Sequence, residues 1–166
     1  MAYLVLMGPM MAGKTKLGKR IAKLSSREFI DTDKVITARH GNISDIFVEK
    51  GEPYMREVEQ EAVSWALAHD DAIVSLGGGA VLAEANQQLL RKEQVVLLTL
   101  TVQAAQHRLA LSHERPLLKH GGIDAWAEIT ERRMPLYRSL ASAEFDTSSG
   151  TMESIATQIY EWRESL

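Results

Sequence analysis

The segment GPMMAGKT, residues 8–15, carries the clearest chemical pattern in the sequence. Gly8 is followed by four residues and then by Gly13, Lys14 and Thr15, which is the spacing of a phosphate-binding loop. In such a loop, backbone N–H groups surround an oxyanion, and the N-terminus of the following helix adds a favourable field. We expect Lys14 to reach the outer phosphates of a nucleotide and Thr15 to bind Mg²⁺. An ordinary glycine turn is the alternative, but the apolar run before the loop and the helical pattern after it favour the phosphate loop.

Two aspartates, Asp31 and Asp33, follow a short apolar stretch and form the pattern DTD. Open parallel sheets build their sites at the carboxyl ends of strands, and carboxylates two residues apart on a strand share one side. We therefore expect Asp31 to help hold Mg²⁺ through water and Asp33 to accept a hydrogen bond from a substrate hydroxyl. The alternative is a helix N-cap aspartate with a solvated neighbour.

An ion pair and a run of glycines come next along the chain. Arg56 and Glu59 are three residues apart at the start of a predicted helix, so they share one face and can contact each other. The alternative to a role in the site is an ordinary ion pair on the protein surface. Gly77, Gly78 and Gly79 follow a buried apolar run, where the missing side chains would let a ligand approach backbone N–H groups.

Arginines from two later segments complete the polar residues of interest. Arg115 lies in ERPLL, within a stretch at 111–122 that has no clear helix or strand pattern and is predicted to be a mobile loop. Arg132, Arg133 and Arg138 lie at a predicted helix end. Cations from separate segments are what phosphoryl transfer and carboxylate binding both require.

The hydrophobic pattern predicts the scaffold that must position these residues. Apolar runs without polar alternation at 3–7, 71–76 and 94–100 are typical of strands buried on both faces of a parallel sheet, and 28–31 and 143–146 are weaker strand candidates. Segments of helical period lie between them. The sequence therefore predicts an α/β fold, with a doubly wound five-stranded parallel sheet and helices on both faces.

Composition limits the classes of protein that fit. The 166 residues are expected to form a single domain over 1–166, since no linker or low-complexity tract divides the chain. The net charge of −3 and the lack of a basic stripe with aromatics argue against a nucleic-acid partner, and the lack of cysteine excludes thiolate chemistry. The first apolar run is too short for a signal peptide or a membrane span, so we expect a cytoplasmic monomer that acts on a small molecule without a membrane partner.

In their order, these motifs resemble the shikimate kinase family across essentially the whole chain. The matching segments are GPMMAGKT, DTD, FVEKGE, REVE, GGG, RPLL and RRMPLY. The resemblance implies a P-loop kinase fold like that of nucleoside monophosphate kinases, with a lid at about 111–122. It also implies transfer of the γ-phosphoryl group of ATP, with Mg²⁺, to the 3-hydroxyl of shikimate, a step of aromatic amino-acid biosynthesis.

The resemblance also implies a role for each matching position. Asp33 would act as the base, Arg56 and Arg133 would grip the carboxylate, and Glu59 would orient Arg56. The implied catalytic residues are Lys14, Asp33 and Arg115. The implied nucleotide-binding residues are Gly8, Met11, Ala12, Gly13, Lys14, Thr15, Lys16, Arg108, which would stack on adenine, and Arg115, which would close over the phosphates from the lid. The implied substrate-binding residues are Asp33, Phe47, Arg56, Gly77, Gly78, Gly79 and Arg133, and the metal-binding residues are Thr15 and Asp31.

Three departures from the family pattern leave two alternatives open. Met11 and Ala12 replace the usual Gly-x in the loop, Met55 replaces an aromatic residue at the acceptor pocket, and the segment after 146 lacks an arginine that some relatives place beside the nucleotide. The alternatives are a related small-molecule kinase, such as a gluconate kinase, and a nucleotide-binding homologue without turnover.

Overall fold

The structure of the protein is a computed structural model, and residues 1–112 and 121–166 are described. Five strands in these ranges form one sheet, and all of their pairings are parallel. The strands are β1 (Leu4–Met7), β2 (Phe29–Asp31), β3 (Ile73–Ser75), β4 (Val95–Thr99) and β5 (Ala143–Asp146). The helices are α1 (Lys14–Ser25), α2 (Thr32–His40), α3 (Ile43–Leu67), α4 (Glu84–Leu90), α5 (Val102–Leu111), α6 (Gly122–Leu140) and α7 (Met152–Glu164), with a short 3₁₀ helix at Ala80–Leu82.

The strand order is β2-β3-β1-β4-β5. After β1 the chain therefore forms β2 and β3 on one side of β1, and then β4 and β5 on its other side. Where the connections after two neighbouring parallel strands lead to opposite sides, a crevice forms beyond the carboxyl ends of those strands. The phosphate-loop segment follows β1 at this crevice. The predicted doubly wound five-stranded sheet is thus confirmed, with strand ends that differ from the prediction by at most two residues.

Alternate residues of each central strand face opposite layers of helices. Val5 and Met7 belong to a core with residues of α3, α4 and α6, whereas Leu4 and Leu6 belong to a core with residues of α1 and α7. Because both faces of β1 are completely buried, the strand needs no polar alternation, as predicted.

Helix α3 contains the principal irregularity of the fold. Its backbone leaves the helical region at Gly51 (φ 81°, ψ 169°), two residues before Pro53, so the helix is kinked there. The part before the kink carries Phe47, and the part after it packs on the sheet and carries Arg56. Among the residues that the structure describes, no helix combines the length and apolar character needed to cross a membrane.

Candidate active site

The strand register brings the predicted motifs to one edge of the sheet. Ser75 of β3 is paired with Leu6 of β1 on one side and with Asp31 of β2 on the other. The carboxyl ends of these three strands are therefore level, and the phosphate loop, the DTD turn and the glycine run all begin at this edge. A cavity of about 550 Å³ lies above it, and both Lys14 and Asp33 line this cavity.

Lys14, at the end of the phosphate loop, is hydrogen-bonded to the beginning of the loop. The Lys14 ammonium donates hydrogen bonds to the carbonyl oxygens of Gly8 (2.7 Å) and Pro9 (2.8 Å). Burial lowers its pKa from 10.5 to about 8, an effect that the carboxylates of Asp33 and Asp31 partly oppose. A cation held at a site that disfavours its charge is ready to interact with an incoming anion.

Side chains from three distant segments hold the remaining carbonyls of the loop. The Trp126 indole donates to Met10 O (2.8 Å), the Arg108 guanidinium donates to Met11 O (2.7 Å), and the Thr147 hydroxyl lies 2.9 Å from Ala12 O. Arg108 also donates to both oxygens of Thr147, and burial lowers its pKa. These bonds use the edge of its guanidinium, whereas stacking on adenine would use a face of the group. The stacking of Arg108 on adenine therefore stays a prediction.

Met11 has a backbone conformation that usually requires glycine. Its φ is 68°, in the left-handed region, where a Cβ atom costs roughly 1 kcal/mol or more. The family pattern has glycine at this position, so the departure noted in the sequence does place strain in the loop. The bond from Arg108 to the Met11 carbonyl oxygen helps to hold this conformation.

Asp31 joins the phosphate loop to the second strand and is also the N-cap residue of helix α2, while its part in holding Mg²⁺ stays a prediction. Its carboxylate accepts a hydrogen bond from the Thr15 hydroxyl (2.9 Å) and caps helix α2 by accepting from the N–H groups of Asp33 and Lys34. The expectation that the two aspartates share one side of a strand was wrong, because β2 ends at Asp31 and Asp33 lies in the first turn of α2. The helix turn, instead of the strand pleat, brings Asp33 to the cavity.

Asp33 is partly buried where it lines the cavity. Burial raises the pKa of its carboxyl group, and the nearby negative charge of Asp31 adds to the rise, while Lys14 opposes it. A Cβ atom at Gly77 would lie 2.5 Å from Asp33 Oδ1, so the glycine is what allows this carboxylate its position. The Gly77 N–H donates to the Thr32 hydroxyl (3.2 Å), which fixes the glycine run to the DTD turn.

Arg56 and Glu59 form a partly buried pair, not the surface ion pair that was the alternative. Arg56 donates to Glu59 (2.8 Å), whose side chain is only 5 % exposed, and more weakly to Glu52 (3.3 Å). Burial raises the pKa of Glu59, and the contact with Arg56 opposes that rise. A Cβ atom at Gly79 would lie 2.6 Å from an Arg56 nitrogen, so this glycine makes room for the guanidinium.

Arg133 is the cation of its cluster that faces the site. Its guanidinium nitrogen lies 3.6 Å from the position of a Cβ atom on Gly78. Next to it, the buried Tyr137 hydroxyl donates to the Gly78 carbonyl oxygen (2.6 Å). The other two arginines of the cluster form exposed pairs, Arg132 with Glu128 and Arg138 with Glu144.

The glycine run therefore admits protein side chains, and its contacts with a ligand stay a prediction. Gly77 accommodates Asp33 and Gly79 accommodates Arg56, whereas the sequence suggested only that a ligand would approach the backbone there. Since Arg133 lies beside Gly78, two guanidinium groups and one carboxylate meet over three successive residues. Such a site can bind a small acid that carries a hydroxyl group.

Two other predicted positions differ in their surroundings. Phe47 is 38 % exposed, and its ring centroid lies 5.7 Å from the Arg56 guanidinium carbon, which places it at the rim of the site. Met55 was expected to touch the acceptor pocket, but its side chain is buried in a small core with Ile36 and Val58. Its difference from the family pattern is thus a matter of packing.

Some residues of the expected lid fall outside the described part of the chain. Arg115 lies within 113–120 and is therefore not placed. At the boundaries of the expected loop, Leu111 belongs to helix α5 and Gly122 begins helix α6, so both ends are helical.

Four residues that hold the site together were not predicted. Thr32 lies inside the DTD pattern and Tyr137 inside the quoted RRMPLY segment, so their positions were marked without their roles. Trp126 and Thr147 contact the phosphate loop from 116 and 135 residues away, and no local pattern indicates such contacts.

Comparisons with known proteins identify the family of the chain. The model of the shikimate kinase family matches residues 10–164. A shikimate kinase of Streptomyces avermitilis is 38 % identical over 156 residues, covering 93 % of this chain and 91 % of that protein. A shikimate kinase from Acinetobacter baumannii, solved in complex with shikimate, has a TM-score of 0.91 at 31 % identity, covering 98 % of this chain and 92 % of that one. A gluconokinase from Sinorhizobium meliloti, at 17 % identity and a TM-score of 0.68 over 98 % of this chain and 91 % of that one, shows the shared fold alone. The resemblance in the motifs is confirmed, and the chain belongs to the shikimate kinase family.

Proposed function

We propose that this chain is a shikimate kinase, which transfers the γ-phosphoryl group of ATP to the 3-hydroxyl of shikimate. The observation that carries the proposal is the meeting of Asp33, Arg56 and Arg133 over the glycine run, beside a phosphate loop, in a member of this family. A carboxylate on the acceptor gives the two arginines a partner. Its hydroxyl gives Asp33 one.

The phosphate loop and the DTD turn fit a nucleotide with Mg²⁺. The Thr15 hydroxyl and the Asp31 carboxylate are 2.9 Å apart, and both are oxygen ligands of the kind that Mg²⁺ prefers. When bound, the ion neutralises charge on the β- and γ-phosphate oxygens. Lys14 would exchange its bonds to the loop carbonyls for bonds to phosphate oxygens, which restores favourable surroundings for its charge.

The acceptor would be fixed by its carboxylate and activated at its hydroxyl. Arg56, oriented by Glu59, and Arg133 would bind the carboxylate through charge-assisted hydrogen bonds. Asp33 would take the proton of the 3-hydroxyl as the new O–P bond forms and the bond from the γ-phosphorus to the bridging oxygen of ADP breaks. Because burial and Asp31 raise its pKa, Asp33 is a stronger base than an exposed aspartate.

The other site residues remain part of the proposal. Phe47 would cover one face of the ring, and Gly78 and Gly79 would offer backbone contacts. Lys16, which lines the cavity, would stay near the phosphates. Arg115 would act from the segment that the structure does not describe.

An acceptor assay separates the proposal from its two alternatives. Production of ADP from ATP is followed with shikimate, with gluconate and with no acceptor. The proposal predicts turnover that depends on shikimate. Preference for gluconate would indicate a related kinase, and nucleotide binding without turnover on either acceptor would indicate a non-catalytic homologue.

Replacing either arginine of the carboxylate clamp by lysine is expected to weaken shikimate binding. Arg133→Lys and Arg56→Lys keep the charge but lose the planar pair of donors, and a charged hydrogen bond contributes roughly 1.5–3 kcal/mol. KM for shikimate should therefore rise about tenfold to a hundredfold, while KM for ATP changes much less.

The matched control for this prediction is the neighbouring residue on the same helix. Arg132 is exposed and pairs with Glu128, so Arg132→Lys should leave both KM values unchanged. If all three variants keep the wild-type KM for shikimate, the carboxylate is bound elsewhere.

Adding a methyl group at two positions of the glycine run should impair two different steps. Gly77→Ala forces the Asp33 carboxylate aside, so we expect mainly a lower kcat, by about tenfold or more. Gly79→Ala forces the Arg56 guanidinium aside, so we expect mainly a higher KM for shikimate. Steady-state kinetics of both variants measure the split, and equal effects on both constants in both variants would contradict it.

The monomeric state and the cytoplasmic location expected from the sequence remain predictions. Sedimentation velocity of the purified chain tests the first of them.

A further inference from the structure

Trp126 links helix α6 to the phosphate loop through one hydrogen bond. Its indole Nε1 donates to the Met10 carbonyl oxygen at 2.8 Å, and its side chain is almost fully buried. The ring packs against Ala105 and Leu109 of helix α5, so the donor is held in place by two helices.

The geometry of the peptide unit gives this bond a consequence on the other side of the loop. In a trans peptide the C=O and the following N–H point in opposite directions, and no peptide in the described part of the chain is cis. With the Met10 C=O turned toward Trp126, the Met11 N–H is turned away from it. Met10 and Met11 both line the cavity of the phosphate loop.

The side chain of Met11 disfavours this orientation of the peptide. A flip of the Met10–Met11 peptide by roughly 180° would move the φ of Met11 from 68° to about −110°, a region that residues with a Cβ atom prefer. The flip would also reverse the Met11 N–H. A glycine at this position would have no such preference.

The surroundings of the Met10–Met11 peptide include open space. A small cavity of about 110 Å³ borders Met10, Trp126 and Arg133, so there is space beside the peptide. The hydrogen bond from Trp126 opposes rotation of the Met10 carbonyl directly, whereas the bond from Arg108 acts on the next carbonyl, that of Met11.

We propose that Trp126 is a positioning residue for the nucleotide, because its indole N–H holds the Met10–Met11 peptide with the Met11 N–H directed toward the phosphates. The inference rests on the proposed binding of ATP at this loop. It gives a reason why this chain tolerates methionine where the family has glycine.

The test is a double-mutant cycle on ADP affinity, measured by calorimetry. Trp126→Phe keeps the ring and removes the donor, so the Kd for ADP should rise about three- to tenfold, while the Kd for shikimate stays unchanged. In a Met11→Gly background the same substitution should change the Kd by less than about twofold, because glycine accepts the bound conformation. A purely structural role would give the same loss in both backgrounds and would overturn the proposal, as would an unchanged affinity.

The matched control is Trp162→Phe, at a partly buried tryptophan that packs on Phe145 away from the loop. Its Kd for ADP should equal that of the wild type.

A measurement on the wild-type protein tests the proposal even if Trp126→Phe does not fold. The indole N–H signals are assigned by NMR with Trp65→Phe and Trp162→Phe. The Trp126 proton should exchange with solvent at least tenfold more slowly than that of Trp65, which is 39 % exposed, and should shift when ADP is added. Equal exchange rates or no shift would overturn the proposal. Neither measurement needs turnover, so failure to phosphorylate shikimate would be distinguishable from failure of this inference.

Discussion

Lys14→Ala is expected to lower kcat by about a thousandfold or more without unfolding the protein. The transferred phosphoryl group spreads negative charge over its oxygens in the transition state, and a preorganised cation that opposes this charge contributes several kcal/mol. The folded state loses little, because the burial that disfavours the Lys14 charge outweighs its attraction to Asp33 and Asp31. Among the described residues, its ammonium donates hydrogen bonds to the carbonyl oxygens of Gly8 and Pro9.

Steady-state kinetics and thermal unfolding of the same preparation test this expectation. Lys19→Ala is the control, since Lys19 is exposed on the same helix and should keep the wild-type kcat. A folded Lys14→Ala enzyme with a kcat near that of the wild type would exclude the assignment of the phosphate loop.

Asp33→Asn is expected to lower kcat by about 10²–10⁴-fold. The amide keeps the shape of the side chain next to Gly77 but cannot accept the proton of the hydroxyl, and loss of a general base has effects of this size. The raised pKa of Asp33 means that the folded state disfavours its negative charge. Because the substitution removes this charge, the free energy of unfolding should not fall.

The control for this substitution is Asp71→Asn, the same chemical change at an exposed aspartate just before β3, away from the carboxyl edge of the sheet. It should keep the wild-type kcat. An Asp33→Asn enzyme as fast as the wild type would show that the proton goes to another acceptor and that Asp33 acts only in binding or in the helix turn.

The sheet could be predicted from local sequence because its signal is local. Each central strand is apolar over most of its length, as in β4 (Val95–Thr99), and lacks polar alternation, which is the pattern of a parallel strand buried on both faces. The weaker candidates at 28–31 and 143–146 correspond to β2 and β5, the edge strands of the sheet. Edge strands are less buried, which explains their weaker pattern.

The types of the site residues could be predicted, but the way they are held could not. Asp33 was expected on a strand, whereas the chain already turns into a helix at Thr32. Gly77 and Gly79 leave space for the side chains of Asp33 and Arg56, which belong to other elements of the fold. A local pattern contains no information on such steric relations.

The shape of the phosphate loop shows the same limit. The motif names its ends, Gly8 and Lys14, whereas Trp126, Arg108 and Thr147 hold its carbonyls from distant segments. These contacts become visible only when the sheet has brought α5, α6 and the end of β5 next to β1.

The position of the phosphate on the product shows which hydroxyl group of shikimate the enzyme phosphorylates. The wild-type enzyme is incubated with ATP, Mg²⁺ and shikimate, and the product is examined by proton NMR with ³¹P decoupling. We expect one product, in which the coupling to phosphorus is on the proton of carbon 3. Phosphate on another hydroxyl, or no phosphorylated shikimate from an enzyme that binds ATP, would contradict this expectation.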